Sequence, residues 1–128
     1  MGSPHALIIE DNSNNSEVLA ILLELQGVAS TNVRSTRQVT STIEQLEHVD
    51  VIFLDLEFPY GDGFSVFKLL RSDPRYAAIP IIAYSVHISQ VDKVRAAGFQ
   101  GFLGKPLSIE QFPDQLRRIL SGIAVWEV

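Results

Sequence analysis

The sequence predicts an α/β fold in which a five-stranded parallel sheet carries helices on both faces. Short apolar stretches alternate five times with segments whose apolar residues recur at helical spacing, and this alternation is typical of a parallel sheet. The stretch before Asp55 is continuously apolar, which predicts a strand buried on both faces. No internal repeat or low-complexity segment interrupts the pattern.

Five strands are predicted along the chain. The third ends at Asp55 because residues 59–63, with one proline and two glycines, force a loop. The predicted bounds of the five strands are residues 5–10, 28–33, 50–55, 79–84 and 99–103. Right-handed crossovers and one open sheet favour the flavodoxin-like order 2-1-3-4-5, with the first and third strands adjacent.

A helix is predicted after each strand. Apolar residues recur at helical spacing at Val18, Leu19, Leu22 and Leu25 in the first helix, and mark the buried side at Val39, Ile43 and Leu46 in the second, Phe64, Phe67 and Leu70 in the third, and Ile88, Val91 and Val94 in the fourth.

The helix ends are predicted from capping chemistry. Gly27 and Gly98 end the first and fourth helices, and Ser35 or Thr36 can cap the second and Asp62 the third. A short turn is expected at residues 108–112. The fifth helix is predicted from Pro113 to about residue 121, because proline is tolerated at the first helical position.

Length and composition indicate a single domain. A chain of 128 residues that is 46% hydrophobic can bury one core, which we expect to span residues 5–122. Residues 1–4 resemble a cloning remnant. Residues 123–128 are an apolar tail too short to assign, in which Trp126 is expected to fold back onto the domain or cover a neighbouring chain. A stand-alone domain is therefore expected.

Charge and residue usage exclude several classes of function. The net charge of −5 gives no basic footprint for nucleic acid, and the absence of cysteine excludes disulfides and zinc–thiolate sites. The apolar runs are shorter than the ~20 residues that span a bilayer, and no leader precedes the first strand. We therefore expect a cytoplasmic protein with neither nucleic-acid nor membrane partners.

Polar side chains stand at the carboxyl ends of four predicted strands. Glu10 and Asp11 follow the first strand, Asp55 ends the third, Ser85 follows the fourth and Lys105 follows the fifth. Each residue alone is more simply a cap, a turn or a surface residue. Parallel strands place all of them at one edge of the sheet, where ligands bind in open α/β sheets.

The chemistry of this edge favours a hard cation and a phosphoryl group. Crowded carboxylates repel one another unless one takes up a proton or a cation neutralises them. Oxygen ligands without cysteine or a strand-end histidine favour Mg²⁺ or Mn²⁺ over zinc. Lys105 offers a point charge and Ser85 a hydroxyl for phosphate oxygens. Together these groups suit phosphoryl transfer onto the carboxylate of Asp55.

The sequence resembles the receiver domain of two-component response regulators. The resemblance extends from about Ala6 to Leu120 and is carried by Glu10–Asp11, by the run DLEFPYGDG that begins at Asp55, by Ser85 and by Lys105–Pro106. Any one of these motifs is weak. Their order and spacing together are highly specific.

The resemblance implies a role for each matching residue. Asp55 would accept the phosphoryl group, and Lys105 would bind it. The peptide bond between Lys105 and Pro106 would be cis. Ser85 and Phe102 would act as the switch residues. The magnesium ligands would be Asp11, Asp55 and the backbone carbonyl of Glu57, with Glu10 acting through water.

The resemblance also implies partners. The donor would be a phosphohistidine on a sensor histidine kinase or a histidine phosphotransfer protein. Phosphorylation would change the face formed by the fourth helix, fifth strand and fifth helix, which would bind a downstream protein or form a homodimer. Such a domain is a signalling phosphoacceptor rather than an enzyme, because it promotes only its own phosphorylation and dephosphorylation.

Three other functions are compatible with an α/β fold of this kind. A receiver-like interaction module would never carry phosphate, yet this chain keeps the acids, the acceptor and the lysine. A flavin- or nucleotide-binding protein would need phosphate-binding donors after the first strand, where this chain has Glu10 and Asp11. A phosphatase with an aspartyl phosphate would need a second acid, and only Glu57 is available.

Overall fold

The described residues form six parallel strands in one sheet. The computed structural model describes residues 4–46, 48–58 and 61–127. The strands are β1 (His5–Ile9), β2 (Ala29–Val33), β3 (Val51–Asp55), β4 (Ile81–Ser85), β5 (Gly101–Gly104) and β6 (Val125–Glu127). They are arranged in the order β2-β1-β3-β4-β5-β6, and every neighbouring pair is parallel. The predicted order of the first five strands is confirmed.

The sixth strand corrects the prediction that residues 123–128 form an unassigned tail. Val125, Trp126 and Glu127 pair in register with Gly101, Phe102 and Leu103. A three-residue strand has no periodicity of its own, and the partner strand is what makes it visible. Gly101 allows the approach, because a Cβ atom there would lie 2.5 Å from the carbonyl oxygen of Val125.

Within the described ranges, five helices connect the strands. They are α1 (Ser13–Leu25), α2 (Val39–Gln45), α3 (Gly63–Arg71), α4 (Val91–Ala97) and α5 (Phe112–Leu120). Two 3₁₀ turns, Thr36–Gln38 and Ile88–Gln90, precede α2 and α4. α5 begins at Phe112, one residue earlier than predicted, and Pro113 lies in its first turn, where proline is tolerated.

Capping side chains and one glycine mark several boundaries of the helices and turns. The side chain of Asn12 accepts a hydrogen bond from the backbone N–H of Asn15 at 3.0 Å and caps α1. Ser35 accepts one from the N–H of Arg37 at 3.2 Å, so it caps the 3₁₀ turn rather than α2 itself. Gly98 ends α4 with φ of 104°, a left-handed conformation that favours glycine.

Two apolar clusters cover the two faces of the sheet. One packs α2, α3 and α4 against the strands, with Phe102 and the partly buried Trp126 among its members. The other packs α1 and α5, including Phe53, Phe112 and Leu116. The two central strands are fully covered, since every side chain of β3 and β4 is buried. The predicted burial of β3 on both faces is confirmed.

The predicted helix faces are only partly correct. Val18 and Leu25 are 50% and 71% exposed, and Leu19, Leu22 and Leu23 form the buried side of α1. Ile88 is also exposed, at 51%, because it lies in the 3₁₀ turn before α4 and not in the helix. The other predicted positions in α2, α3 and α4 are buried or pack partly buried against the cluster.

A short antiparallel pair joins residues 57–58 to residues 61–62 after β3. Pro59 and Tyr60, which the prediction assigned to a loop, lie outside the described residues, as do Met1, Gly2 and Ser3 of the predicted cloning remnant. The side chain of Asp62, the predicted cap of α3, also lies outside them. Within the described part of the chain, none of the helices has the length and apolar character needed to cross a bilayer.

Candidate functional site

Three carboxylates meet where β1 and β3 end. These strands are neighbours, with Ile9 opposite Leu54, so the residues that follow them face the same edge of the sheet. Oxygen atoms of Glu10, Asp11 and Asp55 all lie within 4.8 Å of one another. Glu10 and Asp55 are buried, with 0% and 3% exposure. The predicted acidic cluster is therefore assembled in the structure.

Lys105 reaches into this cluster from the loop after β5. Its Nζ lies 2.9 Å from Glu10 Oε1 and 3.3 Å from Asp55 Oδ1. The ammonium group also sits 4.4 Å from the centre of the Tyr84 ring. The backbone N–H of Lys105 donates to the carbonyl of Ser85 at 2.9 Å, which fixes the start of the loop, and the bond from Lys105 to Pro106 is cis.

Tyr84 completes the buried wall of the cluster. Its hydroxyl donates a hydrogen bond to Glu10 Oε1 at 3.1 Å, the same oxygen that Lys105 contacts. Burial and the nearby charge of Glu10 raise the pKa of Tyr84, so the phenol stays protonated and keeps donating. Tyr84 could not be selected from the sequence, because an aromatic residue inside an apolar strand predicts only burial.

The two buried acids of the cluster have pKa values that shift in opposite directions. Burial, together with hydrogen bonds to Glu10 and Glu57, raises the pKa of Asp55 to about 9 despite the charge of Lys105. Burial also acts to raise the pKa of Glu10, but hydrogen bonds from Asp55 and Lys105 outweigh it and lower that pKa. Without a cation, Asp55 therefore carries the proton that relieves the crowding.

Ser85 and Glu57 form a separate hydrogen-bonded unit beside the cluster. Ser85 is fully buried at the end of β4 and donates to Glu57 Oε1 at 2.5 Å. It also accepts a hydrogen bond from the backbone N–H of His87 at 2.9 Å. His87 Nε2 lies 3.6 Å from the same carboxylate oxygen. The backbone N–H of Glu57 donates to Asp55 Oδ1 at 3.2 Å, which links the two units.

The chemistry of the acidic cluster fits a hard divalent cation. Its ligand atoms are carboxylate oxygens, which suit Mg²⁺ and Mn²⁺. The raised pKa of Asp55 indicates that its ionised form is unfavourable beside the other acids, and a bound cation would offset that negative charge. Ser85 engages Oε1 of the Glu57 carboxylate, and the predicted contact of Glu57 with a cation is through its backbone carbonyl. A pocket of about 600 Å³ opens over the cluster, with Asn12, Asn15 and Val86 on its rim.

Phe102 lies away from this pocket, inside the sheet. It is fully buried on the face covered by α2, α3 and α4, and its register partner on β6 is Trp126. Arg95 of α4 packs over the Trp126 ring at 4.6 Å, and Arg118 of α5 contacts Glu127 at 2.6 Å. Phe102 was predicted from its position, but the cover that β6 gives to the edge of β5 was not.

Comparison with known proteins decides the family. The family model described as "Response regulator receiver domain" matches residues 6–117. The chain belongs to the response regulator receiver family. The match includes every strand-end residue of the site, and receiver domains are modules of two-component signalling rather than enzymes that act on a separate substrate.

Curated relatives and solved structures agree with this assignment. The chain is 28% identical over 116 residues to "Polar-differentiation response regulator DivK" of Brucella ovis, which covers 89% of this chain and 94% of that protein. It is similar to a receiver domain of a Pseudomonas aeruginosa PAO1 sensor histidine kinase, with 27% identity, a TM-score of 0.82 and coverage of 94% and 99%. That domain was solved with a magnesium ion coordinated in its active site cleft.

A third similarity shows the fold alone. Chemotaxis protein CheY4 of Vibrio cholerae is 22% identical, with a TM-score of 0.82 over 92% of this chain and 99% of that chain. At this identity the likeness extends to the arrangement of helices and strands and not to individual residues.

Proposed function

We propose that this receiver accepts a phosphoryl group on Asp55 from a phosphohistidine donor and thereby changes a protein-binding face. The observation that carries the proposal is the position of Asp55, buried between two further acids and within 3.3 Å of the Lys105 ammonium group. A carboxylate that only capped a turn would be expected at the surface.

In the proposed reaction a carboxylate oxygen of Asp55 attacks phosphorus as the phosphorus–nitrogen bond of the donor breaks. The imidazole of the donor leaves with the electron pair of that bond. Asp55 must first lose the proton implied by its raised pKa. Lys105, held by Glu10, lies where it can contact the incoming phosphoryl oxygens.

A divalent cation would be held by Asp11, Asp55 and the backbone carbonyl of Glu57, with Glu10 acting through water. When bound, Mg²⁺, or Mn²⁺ with the same oxygen ligands, would offset negative charge shared by the acids and the phosphoryl oxygens. The oxygen-only donor set and the 4.8 Å spacing of the three acids support this assignment.

The proposed switch begins at Ser85. A phosphoryl group brings about −1.5 to −2 charges, and the Ser85 hydroxyl would exchange Glu57 for a phosphoryl oxygen. Ser85 precedes the turn into α4, and Lys105 follows β5, so both contacts act on the face made by α4, β5 and α5. Phe102 lies on β5 beneath that face. We assign the downstream protein contact to it.

β6 changes how that face would be used. Since β6 pairs along β5 from Gly101 to Leu103, a homodimer formed on this face would contact β6 and the outer surfaces of α4 and α5. The exposed Arg95, which packs over the partly buried ring of Trp126, lies there. A dimer built directly on the edge of β5 would have to displace β6.

The donor protein is proposed to dock on α1. Val18, Ile21 and Leu25 are 50%, 57% and 71% exposed and recur along one side of this helix, whose first turn borders the acceptor pocket. A contiguous apolar stripe beside a reactive site is typical of a protein contact.

Ile21→Asp should weaken transfer from a phosphohistidine protein and leave labelling by acetyl phosphate unchanged. Leu69→Asp, an exposed apolar position on α3, serves as the matched control.

The function is tested by incubating the chain with Mg²⁺ and acetyl phosphate and measuring the intact mass. The expected result is one phosphoryl adduct, lost in Asp55→Asn and retained in Asp92→Asn, an exposed acid on α4. Labelling that persists in Asp55→Asn contradicts the acceptor assignment. No adduct from acetyl phosphate or from a phosphohistidine protein would favour the interaction module that never carries phosphate.

We also propose that the receiver acts as a stand-alone domain, because DivK of Brucella ovis, a response regulator, is matched over 94% of its own length. We further propose a cytoplasmic location. Phosphohistidine donors are formed from ATP, and the receiver must share the compartment that contains both.

A further inference from the structure

A second recess lies on the other side of the Lys105–Pro106 segment from the acceptor pocket. Its volume is about 160 Å³. Its walls come from the end of β5, the loop that follows, the first turns of α5 and Glu127 of β6. Lys105 and Pro106 line both this recess and the acceptor pocket. The recess depends on β6, because Glu127 forms part of its wall.

One buried polar atom in this recess has no partner. Gln115 is 4% exposed on the sheet-facing side of α5, among Phe112, Leu116 and Ile119. Within the described part of the chain its side-chain oxygen has no hydrogen-bond donor. Buried polar groups in folded proteins are nearly always paired, so a donor from outside the chain is expected to meet the Gln115 oxygen in the recess.

The charged residues around the recess are already neutralised. Glu127 pairs with Arg118 at 2.6 Å, and Lys105 is held by Glu10 and Asp55. The rest of the lining combines the apolar side chains of Ile88, Leu103 and Leu107 with the uncharged polar side chains of Ser108 and Gln111. A charged ligand would have no free counter-charge there, so a neutral group with an apolar body and one donor fits best.

The volume restricts the size of that group. A cavity of about 150 Å³ in another protein holds one benzene molecule, so 160 Å³ accommodates one six-membered aromatic ring. The ring must also carry a hydrogen-bond donor, because the oxygen of Gln115 accepts and cannot donate. A phenol meets both requirements, as a free molecule or as the tyrosine side chain of a protein partner.

We propose that the recess between β5, β6 and α5 binds a phenol group that donates a hydrogen bond to Gln115 Oε1. Because Lys105 and Pro106 form a wall shared with the acceptor pocket, occupancy of the recess is coupled to the state of Asp55. The coupling, unlike the binding site, rests on the proposed function.

The test compares phenol with toluene, which has the same number of heavy atoms and no donor. Each is titrated into the full chain, without Mg²⁺ or a phosphoryl donor, and followed by two-dimensional amide NMR. We expect shifts centred on Leu103, Gly104 and Leu107, and an affinity for phenol about two- to tenfold higher than for toluene, as one net hydrogen bond predicts.

Two glutamine variants make the test specific. Gln115→Leu should remove the preference for phenol, while Gln111→Leu, at an exposed position that also lines the recess, should keep it. Equal affinities in the unmodified chain, a preference that survives Gln115→Leu, or no shifts at the recess would overturn the site and leave it as a place for water. N-acetyl-tyrosinamide binding more tightly than phenol would support a peptide source, and the reverse a free phenolic ligand.

Coupling is measured by repeating the phenol titration with Mg²⁺ and beryllofluoride. The expected change in phenol affinity is about fivefold or more, with an equal change in beryllofluoride affinity when phenol is saturating, because coupling is reciprocal. An unchanged phenol affinity would overturn the coupling. Since the first titration needs neither metal nor donor, failure of the site and failure of the phosphoacceptor function are separate results.

Discussion

The Ser85 hydroxyl donates its hydrogen bond to Glu57 Oε1 at 2.5 Å and not to Asp55. A hydroxyl has one proton to donate, so Ser85 must leave Glu57 before it can donate to a phosphoryl oxygen on Asp55. Glu57 therefore holds the predicted switch residue in the unphosphorylated arrangement. The backbone N–H of His87, which donates to the same hydroxyl at 2.9 Å, supports that position.

Replacing Glu57 should make the activated arrangement easier to reach. In Glu57→Ala the Ser85 hydroxyl loses its acceptor, and the affinity for beryllofluoride in saturating Mg²⁺ should rise about two- to tenfold, the equivalent of one net hydrogen bond. The measurement is a fluorescence or calorimetric titration. Glu110→Ala, at an exposed acid outside the site, controls for the loss of one negative charge.

A double-variant cycle separates the hydrogen bond from the local charge. If Glu57 acts by holding Ser85, the gain from Glu57→Ala should disappear in a Ser85→Ala background. A gain of the same size in both backgrounds would show that only the charge of Glu57 matters.

Asp55→Asn should stabilise the metal-free protein at high pH. The folded-state pKa of Asp55, about 9, lies above its unfolded value of about 3.9, so the folded state binds this proton more tightly. The stability contributed by the group is complete below about pH 3.9 and is lost as the pH rises through about 9. Asparagine does not titrate and avoids this loss.

The expected difference in the free energy of unfolding is roughly 1–3 kcal/mol at about pH 8 in chelator, and smaller at about pH 5. Urea unfolding at the two pH values measures it. Asp73→Asn, whose exposed carboxyl is held by Arg75 and has a lowered pKa, should not show this pattern. A stability difference for Asp55→Asn that is independent of pH would contradict the buried-proton assignment.

Val86 is expected to restrict water at the acceptor pocket. It is 60% exposed and lines the pocket next to Asp55 and Lys105, so its bulk covers the approach to a phosphoryl group. Val86→Ala should speed the loss of the phosphoryl group by roughly a few fold, since excluding water limits hydrolysis. The rate is followed by intact mass after removal of the donor, with Val18→Ala as the control on α1, and an unchanged rate would reject the role.

Gly101→Ala should detach β6 from the sheet. A Cβ atom at this position would lie 2.5 Å from the carbonyl oxygen of Val125 and 3.0 Å from Cδ1 of Ile82. Overpacking of this kind costs roughly 1–3 kcal/mol. Trp126 is the single tryptophan of the chain and reports the change, because its emission should shift to the red when β6 is released.

The matched control for Gly101→Ala is Gly27→Ala. A Cβ at Gly27 meets no atom within 4 Å, although its φ of 76° is strained for alanine, so stability should fall there while the Trp126 emission of the folded protein stays the same. An unshifted emission in Gly101→Ala would mean that β6 tolerates the methyl group.

The sequence predicted best where a signal was strong and local. β1 and β3 are continuous apolar runs that end in acids, and the acids meet because both strands are parallel and adjacent. Lys105 resembles any surface lysine when taken alone. Its position beside the acids became predictable once all strand ends were placed at one edge of the sheet.

The features that sequence reasoning missed depend on distant partners. β6 exists as a strand because β5 presents Gly101 to it. Val18 and Leu25 fit a helical pattern, but the contact of α1 with the sheet selects Leu19, Leu22 and Leu23 instead. Tyr84 and Gln115 carry polar atoms whose importance depends on Glu10 and on the recess beside β6.

A divalent cation is proposed to make Glu10, Asp11 and Asp55 compatible as neighbours and to prepare Asp55 for modification. The decisive experiment is a calorimetric titration with Mg²⁺ at about pH 8, in two buffers of different ionisation enthalpy. We expect saturable heat with release of a proton to the buffer, and in Asp55→Asn much weaker binding without that proton. If saturating Mg²⁺ gives no heat of association, the proposal is wrong.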